Sequence, residues 1–227
     1  MDQFNIIGKR GWRRFYQCQE AYHVPEFCDF FRNPNRYLLS HGVEVIKDNP
    51  VERTKVVRLK LCGCDWIVTR YAGEGWRHWL QRGLLPSKAL LAWGNALGLF
   101  GVGIATPTPI AMIEQRFGPL RGMSYYVSEY CEGVAANQFL QSNTEYVEYG
   151  AQVREAINHL TEKLHAAGYT HAAWSLNSIL LVDLQPLVMD IDQLQHFTGP
   201  SQRFTEAKNR DWDGLVRSAE STVFNVA

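Results

Sequence analysis

The chain has 227 residues, 46% of them apolar and 20% charged, with 23 basic and 23 acidic side chains. That length suits one large domain or two small lobes of ordinary globular composition. A net charge of zero argues against wholesale nucleic-acid binding. The opening Met1-Asp2-Gln3-Phe4 has no signal-peptide core. Apolar stretches such as Gly98 to Ala105 are too short and glycine-rich to span a bilayer. The five cysteines read as cytosolic thiols. Cys62-Gly63-Cys64 falls in a tight turn without a second Cys/His pair at ligand spacing, so zinc is not expected there.

In chain order, Phe4 to Tyr16 mixes Lys9, Arg10, Arg13 and Arg14 with Trp12, Phe15 and Tyr16. It reads as a basic-aromatic patch resting on an anionic membrane surface, or as a solvated arm whose aromatics pack on the body. The second reading is favoured, because four charges give only weak, reversible membrane binding. Glu44 to Tyr71 reads as a three-stranded antiparallel meander, turning at Asp48-Asn49-Pro50 and again at Cys62-Gly63-Cys64-Asp65. The loop from Lys47 to Arg53 has no glycine, one proline and carboxylates, which is poor chemistry for cradling a phosphate.

Ser87 to Phe100 reads as a helix capped by Ser87, with Leu90, Leu91, Trp93, Leu97 and Phe100 giving it an apolar face. No acidic residue occurs between Ser87 and Ile113. Gly103 to Pro109 is extended by its prolines and leads into strands near Ile110 to Glu114 and Ser124 to Tyr130. Val134 to Leu140 and Tyr146 to Ala167 read as helices. In the second, Val153, Ile157, Leu160 and Leu164 recur at helical spacing. A final helix is expected from Asn209 to Ser221.

The stretch from Leu164 to Phe197 carries the chemistry. Gly168 ends a helix, a loop follows, and Ile179 to Val182 and Leu187 to Met189 are apolar strands around the turn Asp183-Leu184-Gln185-Pro186. The second strand delivers Asp190-Ile191-Asp192.

Several segments together resemble the bacterial lipopolysaccharide-core kinases, which phosphorylate Kdo or heptose. Leu164-His165-Ala166-Ala167-Gly168-Tyr169-Thr170-His171-Ala172 through Ile179-Leu180-Leu181 looks like the family's LHxxGxxHxDxxxxNILL loop, and Val188-Met189-Asp190-Ile191-Asp192 like its metal-binding strand. Ala92-Trp93, Gly103 to Ala111, and Arg210-Asp211-Trp212 through Ser218 look like further blocks of it. The resemblance covers roughly Gly42 to the C-terminus.

It implies an α+β fold of the protein-kinase-like, two-lobed type. Residues 1–41 would be an extension, 42–132 a lobe built on an antiparallel sheet with one helix, and 133–227 a mostly helical lobe. In such enzymes a loop acid takes the acceptor's proton, and an amide and an Asp hold magnesium. A strand lysine, paired with a helix glutamate, grips the phosphates. Carried over position by position, the metal role falls on Asp190, with Asp192 beside it. The acid's place holds Ala173, the amide's Ser178, the glutamate's Ala92, and the lysine's Thr69 or Arg70. His171 is expected to brace the loop.

Alanine has no lone pair to accept a proton, and losing a general base costs about 10²- to 10⁴-fold. The expectation is therefore a pseudokinase, cytoplasmic or peripheral on the inner membrane's cytoplasmic face. It would bind a lipopolysaccharide-core intermediate or a core-biosynthesis protein, with Mg and ATP binding in doubt. Two alternatives stand: an active sugar kinase using Asp190, Asp192 and Arg70 or His171, or a binding domain outside the kinase fold.

Overall fold

The computed structural model describes residues 4–40, 43–72, 85–118, 120–141 and 147–224. The chain forms two units, Met1–Leu97 with Thr108–Tyr130, and Gly98–Pro107 with Cys131–Ala227.

The first unit is built on seven antiparallel strands: β1 (Ile6–Arg10), β2 (Arg14–Gln19), β3 (Glu44–Asn49), β4 (Thr54–Leu61), β5 (Cys64–Tyr71), β6 (Pro109–Phe117) and β7 (Leu120–Glu129). Their order across the sheet is β1-β2-β6-β7-β5-β4-β3, so the expected β3–β5 meander is present. Alternation puts Tyr16, Cys18, Val57, Leu59, Trp66, Val68, Tyr125 and Val127 on one face. Two short helices, α1 (Pro25–Arg32) and α2 (Pro34–Leu38), cover it. Proline at each helix start supplies a preset φ where no N–H is needed. Phe27 lies one helical turn before Phe30 and Phe31, and all three close on Trp66, with ring centroids 4.6, 5.6 and 6.5 Å away.

Within the expected extension of residues 1–41, the described residues from Ile6 to Leu38 are therefore part of the first unit's sheet and core. Strand β2 pairs with β6 from Arg14↔Gln115 to Cys18↔Ala111, and α1 supplies the centre of the core. The physical reason is that β6 would otherwise be a bare edge and Trp66 would face water.

Helix α3 (Lys88–Gly101) follows the expected cap: Leu90 N–H donates to Ser87 Oγ at 3.1 Å.

The second unit holds α4 (Ala136–Gln141), α5 (Val147–Ala166) and α6 (Gln202–Phe224). Short strands β8 (Val134–Ala135), β10 (Ile179–Val182) and β11 (Gln185–Val188) form one sheet, and β9 (Tyr169–His171) pairs with β12 (Leu194–His196). Val153, Ile157, Leu160 and Leu164 are all buried, as their spacing requires. Helix α6 begins seven residues before the expected Asn209, because Ser201 caps it through Phe204 N–H at 3.1 Å. The β10–β11 turn is Asp183-Leu184 alone, both at positive φ, and Pro186 lies in the edge strand where no N–H is needed. Among the described residues no helix is long and apolar enough to cross a membrane.

Candidate functional site

The loop from Gly168 to Leu194 is held from both sides. Gly168 takes φ +81°, and a side chain there would meet the Phe197 carbonyl at 2.7 Å. This close approach starts the β9–β12 pairing, in which His171 faces Leu194. Asp211 of α6 is 2% exposed and accepts the His171 backbone N–H at 3.1 and 3.3 Å. The same carboxylate meets His165 Nε2 of α5 at 2.9 Å. One buried carboxylate thus joins two helices and the loop strand. Three residues on, Gly214 lets α6 close on the loop, since a Cβ there would sit 2.2 Å from the Trp174 carbonyl oxygen. Trp174 is buried and donates through Nε1 to Thr161 Oγ1 at 3.0 Å.

His171 is hydrogen-bonded through both ring nitrogens, and its tautomer follows from its partners. Ala173 N–H donates to Nδ1 at 3.2 Å, so that nitrogen carries no proton. The proton is on Nε2, which donates to the Asp190 carbonyl at 3.2 Å. Burial pushes the imidazole below its ordinary value, against the opposing pull of the Asp190 charge. The ring is neutral and structural.

The other predicted positions converge here. Ala173 presents an exposed methyl, and Ala172 and Asn177 are exposed too. Ser178 is buried; its hydroxyl donates to the Ala173 carbonyl at 3.0 Å, and its carbonyl accepts Met189 N–H at 2.9 Å. Asp190 adopts left-handed backbone angles, φ 49° and ψ 41°. Its carboxylate is exposed, with no hydrogen-bond or ion-pair partner among the described residues. Asp192 lies in the turn Ile191–Gln193, half-buried, 3.5 Å from Gln193 Nε2. One hydrogen-bonded loop therefore gathers His171, Ala173, Ser178 and Asp190.

The residues present do not fit a kinase-type magnesium site. The Ser178 hydroxyl is committed to a backbone carbonyl, which leaves Asp190 alone with Asp192. Among the described residues, no group of three or more His, Cys, Asp or Glu side chains could hold a metal ion.

Arg70 and Thr69 belong to the first unit, on opposite faces of β5. Arg70 shares the side of Trp66 and Val68, under α1 and α2; Thr69 shares the side of Tyr71, whose ring has Lys88 Nζ of α3 5.8 Å from its centroid. Ala92 is fully buried.

Sequence reasoning missed Glu114. Its carboxylate is fully buried on β6 and accepts from Ser87 Oγ at 2.6 Å and from Arg116 at 2.5 and 2.8 Å, with Arg121 at 3.7 Å. The alternation Glu114-Gln115-Arg116 was the available signal, since strand residues two apart share a face. It also missed the role of Asp211, which no local spacing announces.

No protein-family model matches the chain, and no curated protein matches it. A solved structure described as WaaP in complex with acyl carrier protein is similar at 23% identity and a TM-score of 0.58. The match covers 78% of this chain and 70% of that one. The likeness bears on fold: the chain has the α+β, two-lobed protein-kinase-like architecture expected from its motifs.

Proposed function

We propose that this protein is a pseudokinase of the lipopolysaccharide-core kinase type, which binds rather than phosphorylates. The observation that carries this reading is Ala173. An exposed methyl group stands at the position to which the sequence resemblance assigns the proton acceptor, in a loop whose other hydrogen bonds are intact. Positioning supplies most of the catalysis of phosphoryl transfer, and Thr69, Ala92 and Ser178 withdraw the phosphate grip and an amide ligand as well. The scaffold then serves as a binding or assembly partner in core synthesis, at the cytoplasmic face of the inner membrane. Its ligand is a core intermediate or a protein of that machinery. Acyl carrier protein is the first such protein to test, since a similar structure is described in complex with it.

A thermal-shift titration of the full chain with ATP and magnesium, beside a phosphotransfer assay on Kdo- and heptose-bearing acceptors, tests the reading. No magnesium-dependent shift at millimolar nucleotide and no turnover are expected. Turnover by the wild-type chain would end it.

A second reading, an active kinase with displaced chemistry, is favoured by the unpartnered, exposed carboxylate of Asp190. It requires that Asp190→Ala abolish both magnesium-dependent nucleotide binding and turnover.

A further inference from the structure

Two arginines of the first unit are half-buried and have no hydrogen-bond or ion-pair partner among the described residues. Arg14 on β2 and Arg70 on β5 each have an Nε shielded from solvent without a hydrogen-bond partner. Neither guanidinium makes an ion pair or hydrogen bond with a described residue, whereas Arg58, Arg116 and Arg121 each have a carboxylate. A partly desolvated cation without an acceptor is costly, so folds seldom keep one without a use.

The two belong to one place. Arg14, Tyr125 and Arg70 share the sheet face under α1 and α2, by the same alternation that buries Tyr16, Val127 and Val68 there. Arg70 pairs directly across from Tyr125, and Arg14 across from Gln115, whose Nε2 reaches the Tyr125 hydroxyl at 3.4 Å. That hydroxyl donates to Asn35 Oδ1 of α2 at 2.8 Å. Burial holds the phenol protonated, and the charges that act on it are Arg70 and Arg14. The centre of the cluster is therefore neutral and its flanks are cationic.

We propose that Arg14 and Arg70 form a binding site for a phosphomonoester at the rim of the face that carries α1 and α2, beside the buried ring of Tyr125. A carboxylate has two oxygens in one plane and satisfies one guanidinium fork. Two forks arriving from strands on either side of β6 and β7 require an acceptor with oxygens in more directions, and a tetrahedral phosphate has them. Its dianion also matches two unpaired cations. The site shares no residue with the loop around Asp190 and lies on the opposite face of β5 from Thr69, so it is not the nucleotide position of a kinase. A soluble phosphate ester and a lipid with a terminal phosphate present the same chemistry.

The test uses the full chain with inorganic phosphate as the probe, at ionic strength matched with chloride. Phosphate raises the wild-type melting temperature and broadens the phosphorus NMR line, and sulfate competes. Arg14→Gln and Arg70→Gln each weaken binding about tenfold or more, the worth of one charge-assisted contact. Both variants melt no lower than wild type without phosphate, because each removes an unsatisfied cation. Vesicles of phosphatidylcholine with phosphatidic acid, against phosphatidylcholine alone, separate the sources: wild-type binding lost in the double variant assigns the lipid, and phosphate binding without vesicle binding assigns the soluble ester. No wild-type response at phosphate concentrations up to about 50 mM, or an equal response in the double variant, overturns the proposal. Should the variants fail to fold, sulfate-sensitive line broadening by wild type decides alone.

Discussion

His171 donates from Nε2 to the backbone carbonyl of Asp190 at 3.2 Å, so a side chain in the loop fixes the backbone two residues beyond β11. The ring's other nitrogen accepts Ala173 N–H. Replacing His171 with alanine leaves a carbonyl and an N–H without partners and opens a cavity beside Trp174, whose ring centroid is 5.2 Å away. Chemical denaturation is expected to show a loss of about 2–4 kcal/mol.

The same ring gives stability a pH dependence. Its pKa is depressed in the folded state by burial, so between the folded value and the ordinary 6.5 the unfolded chain binds more protons. Stability contributed by neutral His171 is full above pH 6.5 and is lost as pH falls below it. Denaturation midpoints taken downward from neutral pH should decline in wild type and decline less in His171→Gln, which cannot be protonated. Equal slopes would assign the acid sensitivity to other groups.

In the first unit a buried ion pair is centred on Glu114. Glu114→Gln removes the ion pairs to Arg116, whose side chain is 7% exposed, and to Arg121. Breaking a buried pair from one side typically costs about 3–5 kcal/mol. The double variant Glu114→Gln with Arg116→Met should recover part of that loss, measured as a coupling energy in a double-mutant cycle.

What was legible in the sequence is what depends on local pattern. The apolar repeat of α5 and the Ser87 cap follow from spacing and turn chemistry and lie where they were expected, and the loop that holds His171, Ser178 and Asp190 is closed by its own hydrogen bonds. Strands β1 and β2 and the turn between them carry Lys9, Arg10, Arg13 and Arg14 in a run that reads as a solvated arm. Only the pairing of β2 with β6, some hundred positions away, turns Tyr16 and Cys18 into core. Helix α1 is eight residues long, short for a periodicity signal, though Phe27, Phe30 and Phe31 were the clue. The Asp211–His165 contact joins residues 46 apart. Nothing local encodes such a contact; topology does.

Helix α6 meets the loop through Gly214, and this is a tight place. Gly214→Ala puts a methyl group against the Trp174 backbone carbonyl, which cannot rotate away as a side chain would. Although alanine favours helix by about 1 kcal/mol, overpacking should reverse the sign and leave a net loss of about 1–2 kcal/mol by denaturation. Gly150, also within a helix, has open space at its Cβ, so Gly150→Ala should stabilise.

Ala173 and Ser178 separate scaffold from chemistry. Ala173→Asp places a carboxylate on an exposed position, and its stability should stay within about 0.5 kcal/mol of wild type. Ser178→Asn forces a larger side chain into a site that is 3% exposed and breaks the bond to the Ala173 carbonyl, at a cost of about 1–3 kcal/mol. Neither change alone should yield turnover, because Thr69 and Ala92 still withhold the phosphate grip. Combining Ala173→Asp, Ser178→Asn, Thr69→Lys and Ala92→Glu is expected to create a magnesium-dependent thermal shift with ATP that neither the wild type nor either single variant shows. If wild type already shows that shift, and Asp190→Ala removes it, the pseudokinase reading gives way to the active one.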